Sequence, residues 1–179
     1  TKQGGTVLYF ISDKFAGESR LSNKNGVKKA SEFLEKHGYE KMKSSYYSVS
    51  DGILTANFAY SDGKTVFYTD LVKVSVALDS GEITSFDATG FIANHKKREI
   101  PKSTRYSRGD CAKMLRSDLK VNSVTPAVIP TDGNGEIYTF EYFCTASDGT
   151  DVLVYFDPAT GSEREVLMLL YGDGGILTK

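Results

Sequence analysis

A chain of 179 residues holds one ordinary domain or two small ones, and a content of 40% hydrophobic and 12% aromatic residues excludes an intrinsically disordered segment. Its 22 basic and 23 acidic residues leave a net charge of −1, which excludes the concentrated basic field of a nucleic-acid or anionic-membrane binder. Two cysteines, Cys111 and Cys144, are too few for a disulfide framework or a metal cluster, and no apolar run approaches the roughly 20 residues of a membrane helix.

The chain opens at Thr1-Lys2-Gln3-Gly4-Gly5 without an initiator Met, so it reads as a fragment of a longer protein. Thr6 to Ile11 is a strand candidate, and residues 1–14 read as the last strand of a preceding unit. Ser22 is a helix N-cap, since its hydroxyl can accept from a backbone amide one turn on. Val27, Ala30, Leu34 and His37 then recur at helical spacing, and Gly38 stops the helix. Lys28, Lys29, Glu32, Glu35 and Lys36 take the opposite face, the pattern of a helix lying on a sheet.

Strands follow. Ser45 to Val49 and Ile53 to Tyr60 flank Asp51-Gly52, a hairpin pair. After Ser61-Asp62-Gly63, a long strand runs from Thr65 to Leu78 with a bend expected near Thr69-Asp70. Asp79-Ser80-Gly81-Glu82 turns the chain, and Ile83 to Ile92 runs back as a strand. Ala93 to Arg105 is polar, carries Pro101, and reads as a connection.

A second unit begins at Ser107, where Asp110 three residues on makes a variant capping box, with Cys111, Met114 and Leu115 as the apolar stripe. Strands are expected from about Leu119 to Ile129, Glu136 to Ala146, Asp151 to Phe156 and Glu163 to Tyr171. The turns reveal a repeat. Ser61-Asp62-Gly63 corresponds to Ser147-Asp148-Gly149. Val76-Ala77-Leu78-Asp79 through Gly81-Glu82 corresponds to Val154-Tyr155-Phe156-Asp157 through Gly161-Ser162-Glu163. The expected organisation is therefore residues 1–14, 15–100 and 101–179.

Catalysis is hard to assemble from these residues. His37 ends the first helix, where a cation suits the dipole, and His95 lies in the polar connection. Neither is spaced to activate Cys111 or Cys144. No nucleophile elbow, phosphate loop, dinucleotide fingerprint or zinc motif is present. Asp132-Gly133-Asn134-Gly135-Glu136 opens like a calcium loop, but Ile137 and Phe143 stand where Gly and Glu are needed. A hairpin turn explains it. Paired carboxylates for glycoside hydrolysis are defined by distance, which sequence does not give. Binding surface remains. Tyr46, Tyr47, Phe67 and Tyr68 are its aromatic candidates, against the alternative that each ring is half-buried in a sheet.

Helix, antiparallel strands and the hairpin Val74-Ser75-Val76-Ala77-Leu78-Asp79-Ser80-Gly81-Glu82-Ile83 follow the PepSY pattern. Further stretches agree in order and spacing. They are Phe33-Leu34-Glu35-Lys36-His37-Gly38-Tyr39, Asp51-Gly52-Ile53 with Asn57-Phe58-Ala59-Tyr60, and Tyr68 with Asp70-Leu71-Val72-Lys73-Val74. Gly90-Phe91 with Asn94-His95-Lys96-Lys97-Arg98, and Ala127-Val128-Ile129-Pro130, complete the set. With these stretches the chain resembles the carboxy-terminal PepSY repeats of the YpeB family of spore germination proteins over nearly its whole length.

The resemblance implies an α+β fold of two tandem PepSY units, each a helix packed on a curved antiparallel β-sheet. It implies a non-catalytic module without cofactor or metal that stabilises, localises or restrains a SleB-like cortex-lytic enzyme. The place would be the spore, on the outer side of the inner membrane or in the cortex. Membrane attachment would come only through an anchor absent from this fragment. No nucleic acid is implied, and a homo-oligomer through exposed edges is compatible. The alternatives are a PepSY-type peptidase inhibitor and an enzyme acting on peptidoglycan. Tyr68, Asp70, Asn94, His95 and Arg98 are the candidates for partner or inter-unit contact. Asn94, His95 and Arg98 either fix the units by hydrogen bonds or meet the partner.

Overall fold

The computed structural model describes residues 5–133, 135–172 and 174–178, without the side chains of the last two. Residues 1–4 of the expected first strand, Asn134 of the expected turn, and Asp173 and Lys179 near the end lie outside the described residues. The chain forms two compact α+β units. Of the described residues, the first comprises 5–61, 69–95 and 174–175, and the second 62–68, 96–133, 135–172 and 176–178.

In the first unit β1 (Tyr9–Ile11) precedes α1 (Asn23–Lys36), β2 (Met42–Ser50), β3 (Ile53–Ser61), β4 (Val66–Ala77) and β5 (Ile83–Asp87). These strands lie in the order β1-β5-β4-β3-β2. Tyr9, Phe10 and Ile11, expected to close a preceding unit, pair antiparallel with Asp87, Phe86 and Ser85 of β5. Ser22 caps α1 by accepting from the Asn25 amide at 3.3 Å, as the sequence predicts. The helix leaves its axis at His37 and Gly38, where φ is +82°, a conformation open to Gly. Asp51 and Gly52 both take positive φ, as a tight two-residue hairpin between β2 and β3 requires.

One helical glycine sets the approach of helix to sheet. A Cβ on Gly26 would lie 2.9 Å from Leu78 Cδ2 and 3.2 Å from Leu54 Cδ1. The first turn of α1 thus sits on the sheet with no room for a methyl group. Ala30 and Leu34 are then buried with Leu54, Phe58, Val72, Val74, Val76, Leu78 and Phe86 in one apolar layer.

One local expectation is corrected. The return strand ends at Asp87, and Thr89–Asn94 form α2 instead of continuing to Ile92. Asp87 Oδ1 accepts from the Thr89 amide at 2.9 Å, which bends the backbone out of the strand. The register between β4 and β5 shifts between Ser75 and Val76.

In the second unit α3 (Arg108–Ala112) precedes β6 (Leu119–Pro130), β7 (Glu136–Ala146), β8 (Asp151–Asp157) and β9 (Ser162–Gly172), and β10 (Gly175–Thr178) ends the chain. β6 to β9 form successive antiparallel pairs. Val66 and Phe67 at the start of β4 pair with Ala127 and Val128 in parallel, an exception to the expected antiparallel sheet. The Ser107 and Asp110 capping box forms with both bonds. The helix nevertheless ends at Ala112, so Met114 is 46% exposed while Cys111 is buried.

Cys111 and Cys144 are free thiols in one apolar cluster with Phe140, Tyr142, Val152, Val154 and Phe156. Burial pushes both thiols above their ordinary pKa. On the other face, Ala127, Ile129 and Tyr155 make a smaller cluster with Tyr68, Leu153 and Leu167.

Candidate functional site

The five polar and aromatic candidates are positioned by β4, by α2 and by the segment after it. In the first unit, Asp70 sits on β4 with no exposed surface. Its Oδ2 lies 2.7 Å from His95 Nδ1, and Thr69 Oγ1 donates to Oδ1 at 3.0 Å. A buried carboxylate needs such partners, because an unpaired charge in an apolar interior is expensive.

His95 follows the last residue of α2. Its ring stacks on Phe91 at 4.3 Å and 13°, and meets Tyr60 edge-on at 4.6 Å. Asn94 donates from Nδ2 to the carbonyls of Thr69 at 2.9 Å and Gly90 at 3.0 Å, tying α2 to β4. Gly90 permits this contact, since a Cβ there would lie 3.1 Å from the Leu71 carbonyl oxygen. The cluster orients an imidazole through a buried carboxylate. Both cysteine thiols, by contrast, lie in the core of the second unit.

In the second unit, Arg98 is only 6% exposed. Its Nε donates to both carboxylate oxygens of Glu136 at 3.0 Å, and Nη2 reaches Oε2 at 2.9 Å. The guanidinium carbon lies 5.0 Å from the centroid of Phe67, stacking a cation on a buried ring. Lys96 Nζ approaches Glu136 Oε1 at 3.1 Å. The Arg98 bond, against the cost of burial and with help from Lys96, holds the Glu136 carboxyl below its ordinary pKa.

Tyr68 packs edge-on against Tyr155 at 6.1 Å, and Tyr155 Oη donates to Glu141 Oε2 at 2.9 Å. Burial, then the nearby Glu141 carboxylate, raises the pKa of both phenols strongly. The expected exposed aromatics are therefore mostly inside. Phe67 is 4% exposed under Arg98, Tyr68 faces Tyr155, and Tyr47 packs on the first core. The large exposed apolar side chains stand elsewhere, on β1 at Tyr9 and Ile11 and on β9 at Val166, Met168 and Leu170.

Sequence reasoning missed Glu136, Glu141 and Tyr155, the residues that satisfy the candidates. Sequence offered no signal for the Arg98 partner, because Glu99 stands next to it while the carboxylate it binds is 38 residues away. Among the described residues, no three His, Cys, Asp or Glu side chains converge as a metal site requires. Among the same residues, no helix is long and apolar enough to cross a membrane.

Comparison with known proteins gives one consistent answer. Residues 1–101 match the family model described as YpeB sporulation, PepSY1 and PepSY2 domains. The sporulation protein YpeB of Halalkalibacterium halodurans is 30% identical over 166 residues, 93% of this chain and 37% of that protein. YpeB of Bacillus subtilis is 27% identical over 168 residues, again 93% of this chain and 37% of the relative. The chain thus spans well under half the length of these curated relatives. Among solved structures, the Bacillus megaterium YpeB C-terminal domain superposes with a TM-score of 0.87 at 26% identity, covering 96% of this chain and 75% of that one.

Proposed function

We infer the function from one premise, that the chain belongs to the YpeB sporulation-protein family. It is a non-catalytic protein-binding module of a spore germination protein that stabilises, localises or restrains a SleB-like cortex-lytic enzyme. Its place is the spore, on the outer side of the inner membrane or in the cortex.

The observation that carries this reading is the match to sporulation proteins along 93% of the chain. The internal bonding of the two units agrees with it. The hydrogen bond of Asp70 with His95 and the ion pair of Arg98 with Glu136 support a scaffold role for these residues. What the chain offers a partner is sheet surface, and exposed apolar strand residues are a common basis of protein recognition.

A pull-down of the 179-residue chain with its cognate SleB-like enzyme tests the proposal, with muralytic activity followed in the same tube. Capture with reduced activity establishes restraint, and capture with unchanged activity establishes a stabilising scaffold. Absence of capture at micromolar concentrations removes these two units as the contact.

A further inference from the structure

We propose that the exposed face of β9 is a docking groove for a basic amphipathic helix of a partner protein. The inference rests on the binding reading above and adds the surface and the partner's chemistry.

The first observation is a missing cover. Directly opposed residues of antiparallel strands point to the same face. Phe86 stands opposite Val74 in the first unit, and Met168 stands opposite Val152 in the second. The repeat aligns Val74 with Val152 and Val76 with Val154, so Met168 holds the place of Phe86. Phe86 is 3% exposed because Phe33 of α1 meets its ring at 5.6 Å, with Tyr39 at 5.4 Å beside it. Met168 is 40% exposed, and its neighbours on that face, Val166 and Leu170, are 42% and 44% exposed.

The cause is helix length. α1 has 14 residues and extends about 21 Å, whereas α3 has five and extends about 7.5 Å. Cys111 of the short helix packs in one cluster with Cys144 and Val154, while Val166, Met168 and Leu170 of β9 stay exposed. A depression of 330 Å³ remains between Arg116 and Leu119 after the helix and Val166 and Met168 on β9.

The second observation is charge. Asp148 and Glu163 line this depression, and Asp118 joins them through Arg116, whose Nη2 and Nε bind its carboxylate. Arg116 is thus paired with Asp118, and Asp148 and Glu163 add two further carboxylates around it. An apolar floor with an acidic rim fits a helix whose apolar side chains are flanked by Lys or Arg. The molecule contains the template. On the first unit, α1 lays Ala30 and Leu34 on the sheet and carries Lys24, Lys28, Lys29 and Lys36 on its outer side.

The three methionines, Met42, Met114 and Met168, make the test direct. The 179-residue chain labelled with 13C at the methionine methyls is titrated with an amidated helical peptide of about 18 residues, five turns, built of Leu and Lys. A peptide with Glu at every Lys position is the control. The Met168 methyl signal should move with the Lys peptide at a Kd of the order of 100 µM, a value expected of a shallow groove. Met42, packed in the first core, should stay still and reports an intact fold.

The double variant Asp148→Lys with Glu163→Lys should weaken the Lys peptide about tenfold and admit the Glu peptide. A still Met168 signal with both peptides overturns the proposal, as does equal binding of both. A Met168 shift driven by protein concentration alone overturns it in favour of a second copy on this face. Capture of the lytic enzyme with a silent Met168 leaves the proposed function standing and removes only this surface. A responsive Met168 without capture of the enzyme does the reverse.

Discussion

The two units solve one problem with different materials. In the first, Phe33 of a 14-residue helix joins Phe10, Tyr39 and Phe86 in an aromatic cluster that leaves Phe86 only 3% exposed. In the second, a five-residue helix is held by polar bonds, and β9 keeps its apolar side chains in water. The difference teaches that a repeat can spend the same strand pattern on stability in one copy and on surface in the other. What decides is the cover, since the opposed strand pairs are alike.

The largest expected effect breaks the comparison at its centre. Phe86→Ala should cost about 3–4 kcal/mol, because it empties a site that Phe33 and Tyr39 fill. Met168→Ala, at the corresponding place, should cost less than about 1 kcal/mol, since its side chain is already 40% exposed. Urea denaturation of the two variants reads both values, and equal losses would dissolve the distinction between covered and open faces.

A middle effect sharpens the contrast between apolar and ionic anchoring. Glu136→Gln should cost about 2 kcal/mol at neutral pH, because the nearly buried Arg98 loses its charged acceptor. The sign with pH follows from the depressed carboxyl. A folded pKa below the ordinary 4.5 means the stabilisation is fully present above that value and is lost as the pH falls through the folded value. The gap between wild type and Glu136→Gln should therefore narrow as the pH falls below the ordinary 4.5. Denaturation midpoints at pH 7 and pH 3 check it.

Much of the fold was legible in the sequence. The α1 cap at Ser22, the Asp51-Gly52 hairpin, the Ser107 and Asp110 box and strands β6 to β9 follow from local turn chemistry and alternation. The end of β5 was not, because apolar Ile92 extended the pattern while Asp87 turned the backbone. The partners of the site candidates were not legible for a different reason. Arg98 meets Glu136 across 38 residues and His95 meets Asp70 across 25, and no local rule reaches so far. The open face of β9 was hidden too. Val166 to Tyr171 is apolar at every position, so alternation could not say which side meets water.

The smallest effect tests how the short helix is held. Tyr142 is buried, and its hydroxyl donates to the Arg108 carbonyl at 2.6 Å, at the first residue of α3. Burial, with Cys111 beside it, raises the phenol's pKa well above its ordinary value, so the proton stays available to donate throughout the physiological range. Tyr142→Phe keeps the ring against Phe156 and removes the hydroxyl's bonds to the Arg108 carbonyl and to Cys111, which should cost about 1 kcal/mol. The loss should appear locally. Amide exchange should quicken at Cys111 and Lys113, whose N–H groups bond within the helix, and stay unchanged along α1. If exchange in α3 does not change, the helix is held by Cys111 packing and its cap alone. Its shortness would then be set by the chain after Ala112, not by the tyrosine beneath it.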